Sequence, residues 1–221
     1  MKRWLAVVAV LALAPLGAGP AAAAPNIYHT ISSTHGGAYV AAEDGCELTE
    51  VFLSSSVAMY AAQPGPVNKQ GLTSVFVRVT DTCGSVTAAA GGGGVLFEAE
   101  AMNMAKLVAD PRLRNASVST TMEGTDADGN PVTVELNATW TGTGELEHTT
   151  ISNPDHFPDG NVVAVDNNLR RDAVAEVSVE VAGRSVSGTD EGASLELVKA
   201  NCVEVARPGV EGFFPCFGFP G

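Results

Sequence analysis

The chain has 221 residues, with 25 Asp+Glu against 12 Lys+Arg and a formal net charge of −13. A surface this acidic repels phosphate backbones, which argues against nucleic acid as a partner. The acidic residues are spread along the chain, as on a solvated surface, and do not form an acidic tail.

The first element in chain order reads as a secretory signal. Lys2 and Arg3 supply a positive n-region, and Trp4 to Leu16 is an uncharged apolar stretch. Ala21 to Ala24 ahead of Pro25 offer the small side chains that signal peptidase needs. The apolar run is about 13 residues long and is broken by Pro15 and Gly17, where a bilayer crossing needs ~20. Residues 1–24 are therefore expected to be cleaved rather than to anchor the chain. No Cys near the cut offers an acylation site, and Lys-Arg in place of a twin arginine favours the general secretory route. Cleavage leaves 10 Lys+Arg against 25 Asp+Glu, a formal charge of −15. The expected product is secreted or loosely held by the envelope, with no membrane span.

Beyond the signal the hydrophobic pattern has period two. Strand candidates begin at 47–54, followed by Val75, Val77 and Val79 alternating with Phe76, Arg78 and Thr80. Glu98 to Val108 has helix-forming composition, but the Phe97/Ala99/Ala101 alternation favours a strand over 95–103. Next come 116–123, then Val132, Val134, Leu136, Ala138 and Trp140 on one face with Thr133, Glu135, Asn137 and Thr139 opposite. The remaining candidates are 145–151, the Val177/Val179/Val181 alternation with Glu176, Ser178 and Glu180, and 194–198 with 202–206. Turn signals separate them at Asp126–Asn130, Gly142–Gly144 and Ala182–Arg184. The expected fold is all-β, an antiparallel β-sandwich or barrel-like sandwich of about nine short strands. It spans 25–206 as one domain, with Ala88–Gly94 a flexible loop inside it. A Phe/Pro/Gly-rich segment follows at 207–221, read as a packed cap or, more sharply, as an exposed aromatic patch.

Four cysteines, Cys46, Cys83, Cys202 and Cys216, read as disulfides in an exported chain. The midpoint of Cys46 and Cys83 falls at Pro64-Gly65, and that of Cys202 and Cys216 at Gly209. Each pair would lie on two arms folding back about a Pro-Gly turn, so the expected bridges are 46–83 and 202–216. There is no C-x-x-C, which speaks against a metal.

No catalytic constellation emerges. Asp126-Ala-Asp128-Gly129-Asn130 imitates a calcium loop, but Pro131 stands where Gly is needed and Asn137 where Glu is needed, so it reads as a hairpin turn. His148, Asp155, His156 and Asp159 match no spacing that fixes three metal ligands on one element. Gly183-Arg-Ser-Val-Ser187 lacks the second Gly of a nucleophile elbow and sits in a hairpin. His29, His35, His148 and His156 remain available as bases for dispersed serine chemistry, and Asn115 and Asn137 begin glycosylation sequons that export by a bacterial-type route leaves unmodified.

Asp44-Gly-Cys46-Glu-Leu-Thr-Glu50, Ser74-Val-Phe-Val-Arg-Val-Thr-Asp-Thr-Cys83, Ala138-Thr-Trp140-Thr-Gly-Thr-Gly144 and Arg171-Asp-Ala-Val-Ala175 together resemble a group of exported actinobacterial proteins of unassigned function. The likeness runs from Gly45 to Gly188 and implies that Cys46 and Cys83 pair; Cys202, Cys216 and the Phe-rich tail fall outside it. The resemblance implies no activity, catalytic residue or cofactor. The leading expectation is a non-enzymatic module binding an envelope or extracellular glycan, lipid or protein. The rivals are an extracellular hydrolase with a dispersed site, and a structural or inhibitor protein.

Overall fold

The computed structural model describes residues 27–63, 67–83, 94–157 and 160–206. Among them are ten strands: β1 (Ile27–Asp44), β2 (Glu47–Gln63), β3 (Val67–Asp81), β4 (Val95–Asn103), β5 (Val108–Ala109), β6 (Asn115–Asp126), β7 (Pro131–Gly142), β8 (Glu147–Phe157), β9 (Gly160–Val181) and β10 (Arg184–Ala206). The expected signal, the Phe-rich tail and the glycine loop up to Gly93 lie outside the described residues.

The strands form one antiparallel sheet that closes on itself. Neighbours run β1-β2-β3-β4-β6-β7-β9-β10, and β10 pairs back onto β1. A ring of eight strands has an interior just wide enough for side chains to fill. The period-two pattern supplies them. On β7, Val134, Leu136, Ala138 and Trp140 are buried, while Glu135, Asn137 and Thr139 face outward. β9 repeats this from Ala173 to Val181 with Glu176, Ser178 and Glu180 outside. An outward face of Glu, Asn, Ser and Thr is the reverse of the apolar band on a lipid-facing barrel. No helix among the described residues is long and apolar enough to cross a membrane.

The wall is irregular between β4 and β6, which share three paired positions. The segment 104–114 completes it: β5 takes the place of β4 beside β6, and Leu107 and Leu113 on either side of β5 are fully buried. This segment lies so close to the wall that a Cβ on Gly71 would strike the Ala105 carbonyl and one on Gly142 the Leu113 carbonyl. Leu113 holds φ at 54°. That strain costs a non-glycine residue on the order of 1–3 kcal/mol, which burial of the side chain offsets. Asp110 fixes the corner: its carboxylate accepts from the Arg114 guanidinium at 2.7 Å and from the Arg112 N–H at 2.8 Å. Those bonds, the Arg114 one foremost, hold its carboxyl down at about 2.

Five strands run on past the ring, and β8 joins them beside β9. β9 pairs with β10 along its whole length, but its other side is divided. β7 covers Ala173–Val181 and, after a break at Thr143–Leu146, β8 covers Gly160–Arg170. At the other margin β3 joins β2 from Val67, whereas β4 joins β3 only from Thr73. The result is an open sheet, β8-β9-β10-β1-β2-β3, standing on one end of the barrel.

The all-β antiparallel class is as expected, in its barrel-like form. The strands differ in extent: β9 and β10 are 22 and 23 residues long, and 194–198 with 202–206 are one strand. The anticipated loop at Asp155-His156 is part of β8, because its backbone pairs with Val162 and Asn161 of β9.

A candidate binding face

The Cys46–Cys83 disulfide is present, with a Cα–Cα separation of 5.0 Å. The β2–β3 register, from Glu47↔Asp81 to Ala61↔Val67, is centred on position 64, as the midpoint argument required. Cys202 is also disulfide-bonded, and among the described residues no cysteine is free. Its expected partner, Cys216, lies outside the described residues.

Asp126 ends β6 in a hairpin turn. Its Oδ1 accepts the N–H groups of Asp128 and Asn130 at 3.0 and 2.8 Å, and Gly129 takes a φ of 81°. The Asn130 side chain bonds Oδ2 at 3.0 Å, and these contacts lower the Asp126 carboxyl below its ordinary range. The carboxylate thus serves the turn. His148 and His156 stand eight residues apart on β8, roughly 26 Å along an extended strand, and do not converge. Among the described residues no three His, Cys, Asp or Glu groups gather as a metal set. Ser185 and Ser187 are exposed on the outer wall, just beyond the Ala182-Gly183 turn.

Two contacts of a serine or threonine hydroxyl with an imidazole come nearest to an aliphatic nucleophile–base pair. Ser33 Oγ lies 2.7 Å from His35 Nε2, and Thr150 Oγ1 lies 3.1 Å from His148 Nε2. Both join residues i and i+2 on one strand face, which period two makes neighbours in any strand. The Asn167 side-chain oxygen approaches the same His148 nitrogen at 3.3 Å, so it does not orient the ring from the far side as a triad carboxylate does.

Two other clusters are structural in character. On the outer side of the extension, buried His29 has Nδ1 3.0 Å from Tyr60 Oη and Nε2 3.7 Å from Glu204 Oε1. On the outer barrel wall, Tyr39, Phe52 and Phe76 form a cross-strand ladder with ring centroids 4.8 and 6.0 Å apart, each pair tilted by 45°. The Tyr39 hydroxyl donates to Glu50 at 2.8 Å, and that bond raises its pKa. This described aromatic patch carried no sequence signal beyond its single residues, because its three rings come from three strands.

The open inner face of the extension is different. Ala38, Val57 and Leu197 pack on the barrel core, so alternation places Thr30, Ser32 and Thr34 of β1, and Lys199 and Asn201 of β10, on the face above it. One row crosses all six strands: Lys69, Met59, Ser32, Lys199, Asn167 and Thr150. The side chains are joined laterally, with Thr30 donating to Asn201 at 3.2 Å and Thr150 to Asn167 at 3.0 Å. Met59, Val67, Val163 and Val205 on the same face are 38 to 64% exposed. Five strand spacings make the face roughly 24 Å wide. Grooves elsewhere among the described residues are open; one of about 460 Å³ lies on the outer wall between Thr139, Glu176 and Ser187.

No family model, curated protein or solved structure matches this chain.

Proposed function

We propose that the chain is an exported, non-enzymatic binding module, one domain over 25–206, that takes a glycan of the cell envelope or extracellular surface on the open inner face. The signal-like residues 1–24, the Cys46–Cys83 bridge and the resemblance to exported actinobacterial proteins support export. The observation that carries the ligand reading is the row of hydrogen-bonding side chains, Ser32, Lys199, Asn167 and Thr150, flanked by exposed Met59, Val163 and Val205. A sugar chain presents hydroxyl edges and apolar C–H faces to such a surface. A lipid tail would leave the polar row unsatisfied. The breadth of the face suits an extended polymer.

Affinity electrophoresis of the mature chain against envelope polysaccharides tests this. At least one glycan is expected to retard it, and Asn167→Ala with Thr150→Ala should weaken binding about tenfold or more, for two lost hydrogen bonds. Phe52→Ala should leave binding intact. Loss with Phe52→Ala alone would move the site to the outer aromatic ladder. The second reading, a hydrolase, rests on the Thr150–His148 and Ser33–His35 contacts; turnover of a glycan that His148→Ala or His35→Ala abolishes would establish it.

A further inference from the structure

We propose that the glycan taken by this face is polyanionic, a polysaccharide carrying carboxylates along its length. The inference rests on the binding role of the face and adds the charge of its ligand.

Charge in the extension is sorted by side. Beyond the barrel the inward positions of its six strands hold no Asp or Glu, although the chain has 25 of them; Asp44, Glu47 and Asp81 share that side only at the far end of the barrel. They hold Lys69 and Lys199 in one row, and Arg171 where the face meets the barrel mouth. Outward positions of the same strands carry Glu147, Asp166, Glu196 and Glu204.

Pairing sharpens the contrast. Off this face, Arg78, Arg114, Arg170 and Arg184 each meet a carboxylate at 2.7 to 3.9 Å, and Arg112 is the exception among the described residues. Lys69, Arg171 and Lys199 meet none among the described residues, and Arg171 Nε is buried without a hydrogen-bond partner. Lys106, whose stem lies over Gly71 at the mouth, is a fourth such cation. Cations with no carboxylate beside them leave the face locally positive, so an anion laid across it meets attraction at contact range.

Spacing selects the kind of anion. Lys69 and Lys199 are three strand steps apart, roughly 14 Å, and Arg171 is about as far again from Lys199. Cations so separated do not close around one phosphate, which clustered guanidinium or backbone N–H groups grip together. They match single charges recurring along a chain whose ring hydroxyls meet Ser32, Asn167 and Asn201 between them. The net charge of the whole molecule opposes any polyanion, but salt screens it beyond about 8 Å. Contact-range charges therefore decide.

Equilibrium binding of the mature chain to oligogalacturonate, a ribitol-phosphate polymer, dextran and a single-stranded oligonucleotide tests the proposal. Oligogalacturonate is expected to bind best, with affinity falling as salt rises at a log–log slope of about −3 for four neutralised charges. Lys69→Gln with Lys199→Gln, both exposed positions, should weaken it at least tenfold and flatten the slope with the melting temperature unchanged; Arg112→Gln should do neither. Equal, salt-independent binding of dextran that Asn167→Ala abolishes would overturn the charge inference and leave the binding face standing. Preference for the phosphate polymer or the oligonucleotide would overturn the carboxylate assignment. Binding to none of the four, or binding that neither the lysine pair nor Asn167→Ala disturbs, would overturn this inference and the face together.

Discussion

Trp140→Ala is expected to destabilise the fold by about 3–5 kcal/mol, the largest loss from any single side chain considered. Trp140 is 1% exposed and is the largest of the fully buried side chains. Its Nε1 donates to the Gly37 carbonyl at 3.0 Å across the barrel interior. A Cβ on Gly36 would press against the indole and Leu195, so the absence of a side chain there makes room for the ring. Truncation opens a cavity and strips one carbonyl of its donor, and two effects of the same sign add. Thr139, the next residue, faces outward and is exposed; Thr139→Ala should stay within about 0.5 kcal/mol. Urea denaturation of the two variants makes the comparison. Comparable losses at both positions would show that the two faces of β7 are not divided as described.

The second large effect is expected from the Cys46–Cys83 bridge. It closes a loop of sequence separation 37, and the loop-entropy model assigns such a closure about 4 kcal/mol. Replacing both cysteines by serine should lower stability by that order, read from urea denaturation, with a larger m-value because the unfolded chain is no longer cross-linked. The bridge sits beside the β1–β2 turn, at the barrel end away from the open extension, so glycan binding by the folded variant should persist. A negligible stability change would mean that the β2–β3 hairpin already constrains the unfolded chain.

How much of this was legible in the sequence depends on what each strand buries. β7 is half-buried along its length, so Val132 to Trp140 alternate cleanly and the strand could be read with its inward face. β1 could not: Ser32, Ser33, Thr34, Gly36 and Gly37 sit on a strand whose upper half has solvent on its inner side, and no apolar period marks it. Residues 160–172 of β9 escape notice for the same reason, with Asn161, Asp166, Asn167 and Asn168 interrupting the valines. Much of the candidate face was thus unread, although Thr150 and the ends of β10 lay on strands that were expected. A strand that buries nothing on one side leaves no hydrophobic signature. The face itself assembles side chains from Lys69 to Lys199, which only the register brings into one row. The disulfide was legible because its midpoint coincides with the hairpin centre, a relation that survives without knowledge of the sheet.

The most direct measurement is amide chemical-shift mapping of the isotopically labelled mature chain titrated with oligogalacturonate. Saturable shifts are expected at Thr30–Thr34, His148–Pro154, Val163–Arg171 and Leu197–Val203, with Tyr39, Phe52 and Phe76 unmoved. Shifts centred on the Tyr39–Phe52–Phe76 ladder, or on the outer wall around Glu176 and Ser187, with the inner face of the extension silent, would contradict the account.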